Sequence, residues 1–185
     1  ALSPAALARI EDRVRDSERH HTGELCVCVE ASLPLSYLWR GASARDRALT
    51  QFGKLRVWDT EHNNGVLIYL LLVERQVEIV ADRGLNQHVS AAQWQAVLDT
   101  MRADFQAGRF EAGLLAAVDQ VDRLLRTVCP LPAGDQPVNE MTDAVRLAFE
   151  KAVPSKVSAS WGHANGLNIA GWDKRHDEEY VTMVL

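Results

Sequence analysis

The chain lacks the marks of several large protein classes. No run approaches the roughly 18 to 20 uncharged apolar residues that a transmembrane helix requires, and no charged segment leads into an apolar signal core at the N-terminus. The expectation is a cytoplasmic protein with no direct membrane insertion. A basic excess is also missing: 20 Lys and Arg stand against 25 Asp and Glu, a net charge of −5. That balance argues against a phosphate-backbone binder and so against a nucleic-acid partner. Cysteine is scarce. Cys26, Cys28 and Cys129 cannot all pair within the chain, and the first two sit too close along an extended strand for an ordinary bridge. This favours a reducing compartment, and no second cysteine pair exists to complete a zinc site. None of the three is followed by Arg six residues later, which excludes the phosphate-cradling cysteine loop of tyrosine-phosphatase type. The absence of G-x-S-x-G, of a P-loop and of a Gly-rich dinucleotide fingerprint removes three further enzyme classes.

What is present is ordinary in bulk and specific in one stretch. At 185 residues, 47% apolar and 24% charged, the chain can bury one substantial core. The division expected is an α/β domain over 1–129 and a linker and tail of unknown role over 130–185. The organising stretch runs from Trp58 to Arg83. A polar loop leads into an apolar run from Val66 to Val73, Glu74 and Arg75 turn the chain, and Gln76 to Val80 return it. Frequent Val, Ile and Tyr without a helical period predict a β-hairpin with polar residues at its open end.

Around the hairpin, Ser3 and Pro4 signal a helix start, and Leu7, Ile10 and Val14 mark one face to about Arg19. Glu24 to Glu30 reads as a central strand, apolar on both faces in its middle. Leu33 to Gly41 has no clear period and is expected to be a loop. Ala44, Ala48, Leu49, Phe52 and Leu55 predict a crossover helix with those residues inward. Strand, helix and strand make a βαβ unit, so the first strand and the first hairpin strand should run parallel. Ser90 to Gln93 matches a capping box before a helix carrying Trp94, Val97, Leu98, Met101 and Phe105. A last helix runs from Phe110 to Val128, and Cys129-Pro130 should end the regular part. Beyond it lie an apolar segment around Val145 to Val153, a turn-like run from Trp161 to Gly166 that holds His163, and a charged cluster from Asp173 to Glu179.

This topology places the start of the first strand, the 58–64 loop and the end of the return strand at one sheet edge. Glu24, Asp59, Glu61, Asn63, Asn64 and Asp82 then supply oxygens in one neighbourhood, with His20, His21 and Arg83 beside them. Carboxylate and carbonyl oxygens suit calcium or magnesium, so Glu24, Asp59, Glu61, Asn63 and Asp82 are candidate metal ligands. The bland account is as concrete: Asn63-Asn64-Gly65 suits a tight loop entering a strand, and carboxylates at strand ends are common on surfaces. An EF-hand is excluded, because counting from Asp59 the Gly falls one place late and position twelve is Leu70. His62 could act as acid or base near neutral pH, although loop histidines are more often solvated. Ligands in open α/β sheets usually sit at the opposite, carboxyl edge, here the 31–41 loop and the Glu74-Arg75 turn.

Gly23-Glu24, Asn63-Asn64-Gly65 with Val66, Leu67 and Ile68, Asp82-Arg83-Gly84-Leu85, and the run from Phe105 through Gly108, Phe110 and Gly113 to Leu114 together resemble the TPM-domain family over about Ala5 to Val128. The resemblance implies a three-layer α/β/α sandwich with a small mixed β-sheet. Members include thylakoid-lumen proteins of photosystem repair and many bacterial proteins; some have been assigned weak acid-phosphatase activity and some bind calcium. The chain departs from the family in opening with Ser3-Pro4-Ala5 where an acidic residue is common. Two functions follow as expectations. One is a non-catalytic interaction module with a protein partner, in a membrane-associated or stress or repair complex. The other is a weak phosphatase that hydrolyses phosphoric esters with a divalent cation.

Overall fold

The computed structural model describes residues 2–136, 138–141, 143, 145–148 and 180–181. Helix α1 (Pro4–Ser17) begins as its sequence dictates. The Ser3 hydroxyl accepts the Ala6 N–H, Pro4 occupies the first turn, where an amide would have no partner, and Ala6, Leu7, Ile10 and Val14 form the buried stripe. Strand β1 (Glu24–Glu30) is buried along its whole length, as its uninterrupted apolar middle predicts. The hairpin is β2 (Gly65–Leu71) and β3 (Gln76–Ala81). β1 and β2 run parallel with Glu24 opposite Gly65, and β3 returns antiparallel with Ala81 opposite Val66. Helices α4 (Ala91–Gln106) and α5 (Phe110–Val128) follow, and α4 carries the reciprocal Ser90–Gln93 capping box.

Three expectations give way. Within 33–41 lies a short helix, α2 (Leu35–Trp39), started by Pro34, whose carbonyl accepts both the Tyr37 and the Leu38 N–H. Five residues are too few to display an apolar repeat. The crossover helix α3 (Ala44–Lys54) exists, capped reciprocally by Ser43 and Asp46, and Ala44, Ala48, Phe52 and Leu55 pack inward, but its inward face takes in two polar residues and leaves Leu49 out. Arg47 and Gln51 are buried with Ala44 and Ala48, while Leu49 is 49% exposed. The cause is Glu30 at the end of β1: 2% exposed, it needs a cation, and Arg47 supplies one. Regular structure also continues past Cys129-Pro130. Strand β4 (Arg146–Ala148) pairs parallel with the free side of β1, and β5 (Tyr180–Val181) pairs antiparallel with β4. Strands of three and two residues carry no readable period; pairing places them. The expected Trp161–Gly166 run, His163 and the Asp173–Glu179 cluster lie outside the described residues.

The sheet order is β3-β2-β1-β4-β5. Alternation sorts its side chains into two cores. Leu25, Val27, Val29, Val66, Ile68, Leu70, Val77 and Ile79 meet α1, α4 and α5, including Ile10, Met101, Phe105, Leu114 and Val118. Cys26, Cys28, Leu67, Tyr69, Leu71 and Val80 meet Ala44 and Ala48 of α3. Helices on both faces of a mixed sheet make the three-layer α/β/α sandwich.

Candidate functional site

At the amino edge of β1 and β2, Glu24, Gly65 and Asp82 form a row across three strands. Glu24 pairs with Gly65, and the Asp82 N–H donates to the Gly65 carbonyl at 2.9 Å. Glycine sits in the middle for a physical reason: a Cβ there would meet the Val57 carbonyl oxygen at 2.0 Å. Gly84 is constrained likewise, because a Cβ would lie 2.5 Å from the Asn63 carbonyl and 2.8 Å from that of His62. The 58–64 loop thus folds back onto both strand ends, helped by Asn63 at φ 52°, a left-handed conformation that Asn tolerates.

The structure brings Glu24, Asn63, Asn64, Asp82 and Arg83 together at this edge. Asp82 is 8% exposed. One of its oxygens accepts the Arg83 N–H at 2.6 Å, while Oδ2 is buried with no hydrogen-bond partner among the described residues. Asn64 donates from Nδ2 to the Thr22 carbonyl at 2.8 Å and likewise leaves Oδ1 buried without a partner. Asn63 Oδ1 accepts from the Arg83 guanidinium at 3.3 Å. Glu24 is 2% exposed, and its two oxygens accept the amides of Glu140 (3.0 Å) and Met141 (3.2 Å). Burial raises its pKa in spite of those amides.

Asp59 and Glu61 stand in the exposed part of the loop. Asp59 pairs with Arg56 at 2.9 Å, and the Glu61 amide donates to the Glu140 carboxylate at 3.0 Å. Among the described residues no three His, Cys, Asp or Glu side chains converge to hold a metal ion. The buried oxygens at this edge that lack a hydrogen-bond partner among the described residues belong instead to Asp82, Asn64 and Glu18. His20 and His21 do not join the edge but turn toward α5. His20 meets Arg126 at 2.9 Å, and His21, 1% exposed, lies 3.7 Å from Asp122. Burial lowers the His21 pKa to about 4 against the opposing pull of Asp122, so the ring is neutral near pH 7. Asp122 itself stays below the usual carboxylate range: burial pushes it up, but hydrogen bonds from Arg126 and Arg13 outweigh that.

Two groups at this edge escaped the sequence reading. Glu18, 8% exposed, accepts the Leu25 N–H at 2.9 Å and leaves Oε2 buried without a partner among the described residues. Burial raises its pKa to about 9, aided by the charges of Glu24 and Asp143. Glu140 bridges Glu24 and Glu61. Neither lies in a motif, and both depend on contacts distant in sequence. The thiols are as inert as their strand predicts: Cys26 and Cys28 are buried and unbridged, and burial drives Cys26 up to about 12 and raises Cys28 well above the ordinary thiol value.

The carboxyl edge is different. Glu30 takes Arg47 in two hydrogen bonds, 2.6 and 3.0 Å, and the Tyr69 hydroxyl as a third. The Arg47 guanidinium also lies 5.0 Å from the Tyr37 ring centroid. Charge is thereby consumed inside. Outside, Leu35, Leu38, Trp39 and Leu49 are 44%, 51%, 86% and 49% exposed. Among the described residues no helix is long and apolar enough to cross a membrane.

The three-layer sandwich, the hairpin whose open end is packed by a loop onto two glycines, and the Asn-Asn-Gly and Asp-Arg-Gly corners define a small α/β domain of a recurrent kind. The chain belongs to the TPM domain family, whose profile matches residues 1–124. Among solved structures it is similar to the BA42 protein from the psychrophilic bacterium Bizionia argentinensis, with 25% identity and a TM-score of 0.69 over 79% of this chain and 94% of that one. The N-terminal domain of a protein from P. gingivalis matches at 25% identity and a TM-score of 0.56, over 68% of this chain and 77% of that one. The N-terminal domain of cg2496 from Corynebacterium glutamicum shares the fold at 12% identity and a TM-score of 0.53, over 75% and 81%. A stretch of 50 residues is 62% identical to caprolactamase subunit beta of Pseudomonas jessenii, covering 26% of this chain. The match spans 9% of that protein's length, which carries none of its activity to this chain.

Proposed function

We propose that this TPM domain is a non-catalytic interaction module that works by docking, in the cytoplasm and at a membrane-associated complex. The observation behind the reading is the set of Leu35, Leu38 and Trp39 on α2 with Leu49 on α3, four large apolar side chains that are 44% to 86% exposed. Exposed apolar residues that gather in one place mark interaction surfaces more often than those scattered singly. Elsewhere the chemistry is muted: at the opposite edge Glu24 is tied to two amides, within β1 the thiols are protonated, and against α5 the buried His21 is neutral. The test is a Leu38→Ser, Trp39→Ser variant. Wild-type chain should co-purify from native cells with a stoichiometric partner in the membrane fraction, and that association should survive chelation and be lost in the variant. Equal recovery from both would overturn the reading.

A second reading has its own observation, the buried oxygens of Asp82 and Asn64 that have no hydrogen-bond partner among the described residues. These are hard ligands that suit calcium or magnesium, with Asn63, Glu24, Asp59 and Glu61 close by in the chain's fold. A bound cation would polarise a phosphoryl oxygen, the chemistry of a weak phosphoric-ester hydrolase. Asp82→Asn should then abolish both cation-dependent thermal stabilisation and ester hydrolysis; retention of both would remove this reading.

A further inference from the structure

We infer that Arg45 is an edge guard: by capping the outward backbone of β3 it keeps that strand from pairing with β3 of a second copy of this chain. This role is independent of the α2 face. β3 is the terminal strand of the described sheet, with β2 as its neighbour. Register decides which of its backbone groups are already spent. The Asp82 N–H donates to the Gly65 carbonyl, and because bonded pairs alternate along an antiparallel ladder, Glu78 and Val80 also turn their backbone groups toward β2. Val77, Ile79 and Ala81 turn theirs outward. Into the middle of that outward row comes Arg45, whose guanidinium donates to the Ile79 carbonyl and approaches Glu78 at 3.6 Å. Among the described residues no other side chain or loop backbone bonds to the outward groups of Val77, Ile79 and Ala81.

Such a row is a template for a further strand. The sequence from Gln76 to Ala81 makes the template a strong one, with Val, Ile and Val at three of six positions, no Pro, no Gly, and Glu78 as its one charge. A second copy fits it by symmetry. An antiparallel pair centred on Ile79 sets Val77 of each copy opposite Ala81 of the other, the self-complementary arrangement that a two-fold dimer needs. Arg45 stands in the way because of how α3 begins. It lies in the first turn of that helix, which the reciprocal Ser43–Asp46 cap fixes, and Ala44 and Ala48 seat the helix on the sheet. Val77 and Ile79 are 2% and 5% exposed, so with the guanidinium in place the edge is shut. The Arg45 side chain itself is half exposed. A cation that must keep its water, laid across a strand edge, repels a pairing strand that would strip that water away.

The test compares the full wild-type chain with its variants by sedimentation and by amide hydrogen exchange. Arg45→Ala with Glu78→Gln removes the guard and leaves the strand uncharged, and it should double in mass at concentrations where wild type is monomeric. In that dimer the Val77, Ile79 and Ala81 amides should exchange about tenfold more slowly than in the dilute monomer, the factor that one added hydrogen bond supplies. The Glu78 and Val80 amides, already bonded to β2, should change less. Glu78→Gln alone should stay monomeric, because Ile79 keeps its cap, and so should Arg45→Lys, which keeps a cationic donor. Circular dichroism of each variant should match wild type; should the double variant lose its fold, Arg45→Ala alone gives the same reading. A double variant that stays monomeric at every concentration overturns the inference, as does wild type that already dimerises with these amides protected. Association that Leu38→Ser with Trp39→Ser abolishes, or whose protection falls on other strands, overturns it as well and leaves the docking reading of α2 untouched.

Discussion

Glu18 offers the sharpest check on the geometry of the amino edge. Its folded pKa of about 9 against an ordinary 4.5 arises first from burial, and its Oε2 has nothing to compensate the charge among the described residues. A raised carboxyl pKa means that the folded state holds a proton the unfolded chain has released. Its stabilising contribution is complete below about pH 4.5 and is lost as pH climbs toward 9. At about 1.4 kcal/mol per unit, the loss between pH 7 and pH 9 is about 2 kcal/mol, with the last unit discounted because the folded group itself begins to titrate. With a urea slope of roughly 1 to 3 kcal/mol/M, the midpoint should fall by about 1 M. Glu18→Gln keeps an acceptor for the Leu25 N–H and removes the titration. The assay is urea unfolding of both proteins at pH 7, 8 and 9. Burial also raises the thiols of Cys26, Cys28 and Cys129, so both proteins will lose some stability at the alkaline end; the difference between them isolates Glu18. Parallel midpoint curves for wild type and variant would refute the reasoning and return Glu18 to solvent.

His21 acts in the opposite direction. Its folded pKa of about 4 against 6.5 means that its contribution is present above pH 6.5 and lost as pH falls toward 4, about 3 kcal/mol in all. Between pH 4.5 and 6.5 this slope opposes that of Glu18, to which the raised Glu24 adds, so wild-type stability should show no rise with pH there. In the Glu18→Gln background the acid loss should emerge in urea unfolding, and adding His21→Gln should remove it. Arg47 carries the largest expected mutational effect. Arg47→Met strands the Glu30 carboxylate, 2% exposed, at a cost of about 3–5 kcal/mol. Pairing it with Glu30→Gln should recover much of that; a single-variant loss under about 1 kcal/mol would show that Glu30 finds water.

How much of this was legible depends on how local its cause is. The hairpin, the Ser3 and Ser90 caps and the long helices follow from periodicity and hydroxyl placement within a few residues, and the structure reproduces them. Parallel pairing of β1 and β2 follows from the βαβ rule, and with it the meeting of Glu24, Asn63, Asn64, Asp82 and Arg83 at one edge. The polar part of the inward face of α3 was not legible, because Arg47 reads as solvent-facing until Glu30 is known to be buried opposite it. Strand β4 was not legible either, since three residues acquire their state from β1's open side. Glu18 and Glu140 owe their places to packing between segments far apart in sequence, and no short motif records that.

The same packing redistributes the chemistry expected of the candidate ligands. For Glu24 to bind a cation, the amides of Glu140 and Met141 must leave its two oxygens. Each is a hydrogen bond to a carboxylate of about 1.5–3 kcal/mol when the carboxylate is charged. Asp82 Oδ2 and Asn64 Oδ1 face no such competition. Asp59 and Glu61 lie in water, where Arg56 and the 139–141 segment already engage their residues. A cation at this edge would therefore be held first by Asp82 and Asn64, with Glu24 holding the 139–141 segment over the start of β1. The carboxyl edge has the reverse economy: its one strand-end carboxylate is neutralised inside by Arg47 and Tyr69, and its apolar side chains stand outside. The contrast between an edge with its charge satisfied inside and its tryptophan exposed, and an edge whose carboxylates are held by backbone amides, is what supports the docking proposal over the hydrolytic one.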